Sequence, residues 1–447
     1  MAISMEETIE NLYKAKKYRT LKDILSSLNE ADIAALFAEL PDESLPILFR
    51  LLPKDTAADT FVLMDSDAQE MLIRGFSDSE LKEVIDELYV DDAADIVDEM
   101  PANVVKRILR NTDPEKRQMI NEVLKYPEDS AGSLMTTEYI SLRPNMTINE
   151  AIKRIRRTIT SKETIYTCYV TDDNRYLLGY ISVKTLLLSD ENAVIQDIMD
   201  TMPICVNTMD DKEDVAKKMK KYDFVTMPVV DDEIRLVGIV TFDDAMDVMQ
   251  EETTEDLEMM AAMAHSDDGY FKTSDFVHAK NRIVWLLILM LSAAITGSVI
   301  NGYEAAFNAI PALVAFIPML MGTGGNCGAQ SSTMIIRGMS IDEIQLRDFP
   351  KVLWLEFRIS IILSTVLAIV NGLKICIVDR DIKLALVVSL AVAGTVIMAE
   401  VIGCILPMLA KKCKVDPAVM ASPIITTIVD AGSILIYFGI ASRFFNL

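Results

Sequence analysis

Apolar positions change period along the chain. From about residue 5 to 130 they recur every three or four residues in short runs broken by proline and aspartate, as in ADIAALFAELP (31 to 41) and DDAADIVDEMP (91 to 101). That spacing predicts short amphipathic helices in a compact superstructure, with no strand pattern. A two-fold repeat follows. MTTEYISLRPNMTINEAIKRIRR (135 to 157) and TIYTCYVTDDNRYLLGYISVKTLL (164 to 187) are echoed by MDTMPICVNTMDDKEDVAKKMKK (199 to 221) and DFVTMPVVDDEIRLVGIVTFDDAM (223 to 246), with Gly179 and Gly238 at matching places. Each unit predicts an opening strand, a helix, two apolar strands around an Asp-rich turn and a closing helix. Residues 247 to 275, acidic and then Met- and Ala-rich without proline, predict a connecting helix. Five apolar segments of bilayer length come last, near 283 to 303, 311 to 334, 351 to 374, 384 to 409 and 422 to 442.

Charge separates the halves further. Residues 1 to 275 hold 57 of the 67 acids and 30 of the 43 bases, a formal −27, whereas the remainder carries +3. A region this acidic repels nucleic acid and anionic lipid, and repels itself on compaction unless cations intervene. The six cysteines form no close pair and the start carries no apolar leader, which predicts a cytosolic soluble half with reduced thiols. With two histidines, the ligand supply is oxygen, suited to Mg²⁺ or Ca²⁺ rather than zinc. Lys and Arg flanking the apolar segments favour a cytosolic N-terminus and an outer C-terminus.

Chemistry concentrates in the second and fifth segments. AFIPMLMGTGGNCGAQSSTMIIRG places Pro318, Gly322, Gly324, Gly325 and Gly328 beside Asn326, Gln330, Ser331 and Ser332, a density that predicts a broken or kinked helix lining a watery path. Close helix packing through small residues is the other reading. ASPIITTIVDAGSILIYFGIA holds Asp430 deep in an apolar run, with Ser422, Thr426, Thr427 and Ser433 within two turns. A carboxylate there needs water, a cation or a partner. Glu400 is a weaker candidate, and Glu356 and Arg358 lie near a segment end where they can snorkel. Mg²⁺, which keeps most of its water shell, suits one carboxylate among amides and hydroxyls.

The repeat resembles a tandem pair of CBS domains, and the whole chain resembles the MgtE family of magnesium channels, relatives of the animal SLC41 carriers. GTGGNCGAQSST (322 to 333) and DPAVMASPIITTIVDAG (416 to 432) carry the likeness. The resemblance implies a multidomain membrane protein with an α-helical superhelical N domain (1–130), CBS domains at 131–197 and 198–250, a connecting plug helix at 251–279 and a transmembrane domain of five helices at 280–447. It implies a homodimer in the plasma membrane that takes up Mg²⁺ and is closed by cytosolic Mg²⁺. Pore positions map to Asp430, Asn326, Gly325 and Gln330, with Thr426 and Ser422 before the aspartate. Regulatory acids map to Asp91, Asp95, Glu213, Asp223, Asp244, Asp247, Glu255, Asp256 and Asp416. The residues agree in part: Asp91 with Asp95, and Asp244 with Asp247, share helix faces where a cation would relieve repulsion.

Thr241 and Asp244 also fit the Gly-x-x-Thr-x-x-Asp pattern with which CBS domains hold a ribose, which makes ATP or another adenine nucleotide a candidate ligand of the second repeat. The first repeat has Ser182 and Thr185 there and lacks the acid. Two other classes remain open: a cation-coupled divalent-metal carrier, and a membrane-tethered CBS nucleotide or metal sensor that transports nothing. No phosphate-binding Gly-x-x-x-x-Gly-Lys-Ser/Thr loop occurs, so an ATPase is disfavoured and no enzyme is expected.

Overall fold

A computed structural model describes residues 4–159, 162–201, 203–264, 270, 273–304, 309–420 and 422–445. Two compact units, Met1–Gln250 and Glu251–Leu447, are each described by themselves.

The first unit opens with helices α1 to α10: Met5–Lys14, Tyr18–Leu25, Glu30–Ala38, Leu45–Phe49, Lys54–Val62, Ser66–Gly75, Asp78–Glu87, Val90–Glu99, Ala102–Asn111 and Pro114–Val123. The polar residues that interrupt the apolar period are their caps. Asn29 and Asp65 accept backbone N–H groups at the starts of α3 and α6, and Ser77 with Glu80 forms a reciprocal capping box at α7. Inward faces meet in one core, where the rings of Phe49, Phe61 and Phe76 lie 5.4–6.4 Å apart.

Next come β1 (Ser141–Leu142), α11 (Ile148–Thr158), β2 (Thr167–Thr171), β3 (Leu177–Ser182), α12 (Val183–Leu188) and α13 (Ile195–Ile198). The second repeat supplies β4 (Val206–Asn207), α14 (Lys212–Tyr222), β5 (Thr226–Val230), β6 (Leu236–Thr241) and α15 (Phe242–Met260). Each repeat forms a three-stranded sheet, β1-β2-β3 or β4-β5-β6, with a parallel first pair and an antiparallel second. Gly179 and Gly238 stand at equivalent registers, opposite Val170 and Val229, and both allow a foreign backbone to press on the sheet. A Cβ at Gly238 would lie 2.7 Å from the Thr136 carbonyl. Tyr169 Oη and Thr226 Oγ1, 2.8 Å apart in the interior, tie the repeats together.

The connecting helix is shorter than its composition predicts. α15 ends at Met260: Ala262 takes a left-handed conformation (φ 55°), and the Met263 N–H reaches back to the Glu258 carbonyl. This closing turn stops the helix without glycine or proline.

In the second unit five stretches are long and apolar enough to cross a membrane: Asp275–Asn301, Pro311–Ser340, Leu346–Val378, Ile382–Lys412 and Pro417–Phe445. Their helices are α16 (Asp275–Asn301), α17 (Ile317–Ser340), α18 (Phe349–Val378), α19 (Ile382–Lys412) and α20 (Ser422–Phe445). The expected break at Gly322–Gly328 is absent, and α17 runs through it unbroken. The glycines are packing surfaces instead. A Cβ at Gly324 would lie 2.6 Å from Thr395 Cγ2 and 2.8 Å from Val429 Cγ1, one at Gly328 would meet Ile425 Cγ2 at 2.7 Å, and one at Gly403 would strike the Gly328 carbonyl oxygen at 2.5 Å. Small residues thus let α17 and α19 approach backbone to backbone and let side chains of α20 seat directly on α17. Gly403→Val is therefore expected to destabilise the membrane unit by about 1–3 kcal/mol or more. A lowered melting midpoint in detergent would show it, and an unchanged midpoint would refute the packing account.

Candidate metal centre and membrane carboxylates

Within the first unit the chain folds Asp91, Glu163 and Asp244 together, so that one carboxylate oxygen from each lies within 4.8 Å of the others. Asp91 is in the first turn of α8, Asp244 in the first turn of α15, and Glu163 precedes β2. Each helix start directs backbone N–H groups toward its acid, which offsets part of the burial cost. Asp91 is only 6 % exposed, and its Oδ1 and Glu163 Oε2 are buried without a hydrogen-bond partner. Asp244 is held by Thr241, whose hydroxyl donates to Oδ2 at 2.5 Å.

The electrostatics of the cluster are those of a site short of positive charge. Burial, and then the charge of Asp244, push the Glu163 carboxyl up to about 8. Burial, and then Glu163, hold Asp91 well above the ordinary carboxylate range. Burial raises Asp244 to about 6, Asp92 to about 6 and Asp95 to about 7. Lys116, which donates to the Asp86 and Leu88 carbonyls, is itself pushed down by burial. Three carboxylates with two unpartnered oxygens fit a hard divalent cation bound directly or through water. Protons are the alternative occupant.

Glu163 is the member of this cluster that sequence reading did not name. The other sequence-derived acids lie elsewhere. Asp95 is one turn along α8, and Asp247 is exposed one turn along α15. Glu213 pairs with Lys217 at 2.5 Å. Asp223 closes α14 in a left-handed conformation (φ 54°). In the second unit, Glu255 and Asp256 lie on α15, while Asp416 is exposed and accepts the Ala418 N–H at 2.7 Å. Among the described residues, none of these joins a further three-ligand group.

Thr241 and Asp244 line a cavity of about 420 Å³ together with Tyr89, Tyr166, Val225 and Thr226. A ribose could reach Asp244 there. Asp91, Asp92, Glu163 and Asp243 line the same cavity and would repel phosphates that arrive without a cation.

In the membrane unit Asp430 sits in the third turn of α20, near the middle of the Pro417–Phe445 apolar stretch. Its Oδ1 is buried without a hydrogen-bond partner, while its backbone carbonyl accepts from the Ser433 hydroxyl at 2.8 Å. Thr427 donates to the Pro423 carbonyl at 3.0 Å. Thr426, one turn before Asp430, packs on α17 where a Cβ at Gly325 would lie 2.8 Å from its methyl group. The side chain of Ser422 lies outside the described residues. On α17 the exposed residues Gly322, Asn326, Gln330, Thr333 and Arg337 recur every three or four positions and form one polar strip. Lipid is a poor neighbour for such a strip, whereas water or a second copy satisfies it.

Glu356 does not snorkel as its position near a segment end had suggested. It is 8 % exposed and accepts the Ser331 hydroxyl at 2.8 Å, and the same hydroxyl lies 3.1 Å from the Glu400 carbonyl oxygen. Burial against α17 draws the carboxyl inward.

Three regions of the chain match known families: residues 28–129 the MgtE intracellular N domain, 131–191 and 195–251 the CBS domain, and 317–440 the MgtE divalent cation transporter family. The "Magnesium transporter MgtE" of Thermus thermophilus is 34% identical over 445 residues, covering 99% of this chain and 98% of the relative. The chain belongs to the MgtE family. The MgtE relative of Bacillus subtilis is 31% identical over 435 residues, 97% of this chain and 96% of its own. A solved structure of the cytosolic domain of the Mg²⁺ channel MgtE in complex with ATP matches 55% of this chain and all of its own, with 35% identity and a TM-score of 0.52. The MgtE layout of helical N domain, CBS pair and five apolar helices thus accounts for both units.

Proposed function

We propose that this MgtE-family chain carries Mg²⁺ across the cell membrane as a homodimeric channel, and that cytosolic Mg²⁺ closes it. The observation that carries the reading is the pair of unsatisfied carboxylate sites in one chain, one in each unit. In the membrane unit Asp430 would attract the hydrated ion. Asn326 and Gln330, on the polar strip, would contact its water shell, with Gly325, Thr426 and Ser422 as the adjoining wall. Two copies facing each other would enclose both strips and double the acid. In the soluble unit Mg²⁺ would bridge Asp91, Glu163 and Asp244, with Asp95 and Asp247 in outer contact. Glu213, Asp223, Glu255, Asp256 and Asp416 are proposed as further regulatory positions. Occupancy favours the compact state because the ion binds that state better. The N-terminus would be cytosolic and the C-terminus outside.

ATP, with which the related cytosolic domain was crystallised, is proposed as a ligand of this CBS pair, with Thr241 and Asp244 toward the ribose and Mg²⁺ beside its phosphates.

Mg²⁺ flux into proteoliposomes tests the gate. The triple variant Asp91→Asn, Glu163→Gln, Asp244→Asn should keep conducting at cytosolic-side Mg²⁺ that slows the unsubstituted protein about tenfold, a coupling of roughly 1.4 kcal/mol. Unaltered inhibition in the variant would remove the cluster from gating. The buried Glu356 and Glu400 give a specific reason to consider a proton-coupled carrier, and flux that follows an imposed pH gradient would favour that reading over a channel.

A further inference from the structure

The soluble half is formally −27, yet residues 143–162 hold six bases, Arg143, Lys153, Arg154, Arg156, Arg157 and Lys162, against one acid, Glu150. Four of these bases are exposed on α11, and Arg154 and Thr158 share one helix face. Beside that face lies a cavity of about 260 Å³ lined by Thr137, Tyr139, Ile140, Ser141, Arg154, Thr158 and Lys162. It contains two cationic side chains, four hydroxyl-bearing residues, one of them aromatic, and no carboxylate. Neither Arg154 nor Lys162 is ion-paired among the described residues. Lys162 is half-buried, and desolvation lowers its pKa despite the opposing charge of Glu138. In so acidic a unit these two cations hold no carboxylate at ion-pair distance among the described residues, and Glu138 acts on Lys162 only from farther off.

The donors are arranged for an anion. Ser141 Oγ lies 2.8 Å from Thr171 Oγ1, and Thr171 Oγ1 also accepts from Arg143 at 3.1 Å. The Thr171 hydroxyl can then donate to Ser141 Oγ, which leaves the Ser141 proton available to a guest. Thr158 is committed differently, donating to the Arg154 carbonyl at 3.1 Å. Arg154 and Lys162 would supply charge-assisted hydrogen bonds, and Lys153, Arg156 and Arg157 would raise the local concentration of anions. The cavity lies below the usual range for drug-sized ligands and suits a compact guest.

We infer that the pocket between β1 and the C-terminal turn of α11 binds a small phosphate anion, either inorganic phosphate or the phosphoryl group of a nucleoside monophosphate, through Arg154, Lys162 and Ser141. This site is separate from the Thr241–Asp244 cavity, where carboxylates repel the same group, and it does not depend on the transport reading. Calorimetric titration of the full-length protein in detergent, with inorganic phosphate and AMP in separate arms and no Mg²⁺, tests it. The protein should bind at least one of the two probes. Arg154→Gln with Lys162→Gln should weaken that binding about tenfold or more, while Arg156→Gln with Arg157→Gln, equal in charge lost, should change it less than about threefold. AMP bound in preference to phosphate would identify a nucleotide guest, and comparable binding of both would identify the phosphoryl group alone as the determinant. The inference is overturned if neither probe binds, if both double variants weaken binding equally, or if neither does. A matching melting midpoint for the two double variants keeps misfolding from imitating the expected result, and Ser141→Ala, which leaves both cations in place, should weaken binding to a smaller degree.

Discussion

Proteoliposomes carrying Asp430→Ala are expected to admit Mg²⁺ about a hundredfold more slowly than those carrying the unsubstituted chain. The carboxylate sits near the middle of the apolar Pro417–Phe445 stretch, in the third turn of α20, and its Oδ1 has no protein partner to offset burial. A charge held in that setting costs about 3 kcal/mol, and it offers a passing cation stabilisation of similar size. At about 1.4 kcal/mol per decade, removing it slows entry by roughly two orders of magnitude. Ser433→Ala is the informative neighbour. That hydroxyl donates to the Asp430 backbone carbonyl rather than to its carboxylate, so flux should stay within about threefold. Equal losses in the two variants would point to a packing defect in α20, and undiminished flux in Asp430→Ala would take the residue out of the conduction path.

The second large effect is a pH-dependent response to Mg²⁺. Folding raises the Glu163 carboxyl to about 8, Asp95 to about 7, and Asp244 and Asp92 to about 6, against ordinary values near 4 in the unfolded chain. The folded state therefore holds more protons than the unfolded one between about pH 4 and 8, and its stability without metal falls as pH rises through that window. Mg²⁺ must displace those protons to bind, so its affinity grows with pH. Saturating Mg²⁺ should raise the melting midpoint of the soluble unit by about 5–10 °C at pH 8 and leave it nearly unmoved at pH 5. The Asp91→Asn, Glu163→Gln pair should melt higher than the unsubstituted unit at pH 8 without metal and lose the Mg²⁺ response. An Mg²⁺ shift of equal size at both pH values would show that the bound ion competes with no proton.

Local signals carried much of this architecture. Caps such as Asn29, Asp65 and Ser77 are visible as polar interruptions of a helical period, and the CBS repeat is visible because order and spacing both recur. The five apolar stretches follow from length alone. Glu163 had no such signal: it is an ordinary glutamate more than seventy residues from Asp91 and about eighty from Asp244, and only tertiary folding joins the three. The glycines of α17 misled in the opposite sense. Their density reads equally as a broken helix or a close crossing, and which holds depends on Thr395, Ile425, Val429 and Gly403 on other helices. The end of α15 was hidden for a related reason, since alanine favours helix until Ala262 turns left-handed in the closing loop.

The same glycines bear on mechanics. Gly324, Gly325 and Gly328 seat α17 against α19 and α20, and Gly403 seats α19 against the α17 backbone, so sliding any one of the three along its axis would drive a side chain into a carbonyl or a methyl group. Interlocked helices of this kind resist shear, as cogs do, and they move as one stiff plate. Asp430, Thr426 and the Asn326–Gln330 strip all ride on that plate. In the channel proposed above, the wall of the path would therefore be cast once during folding, and a change in conductance would come from movement of the whole plate.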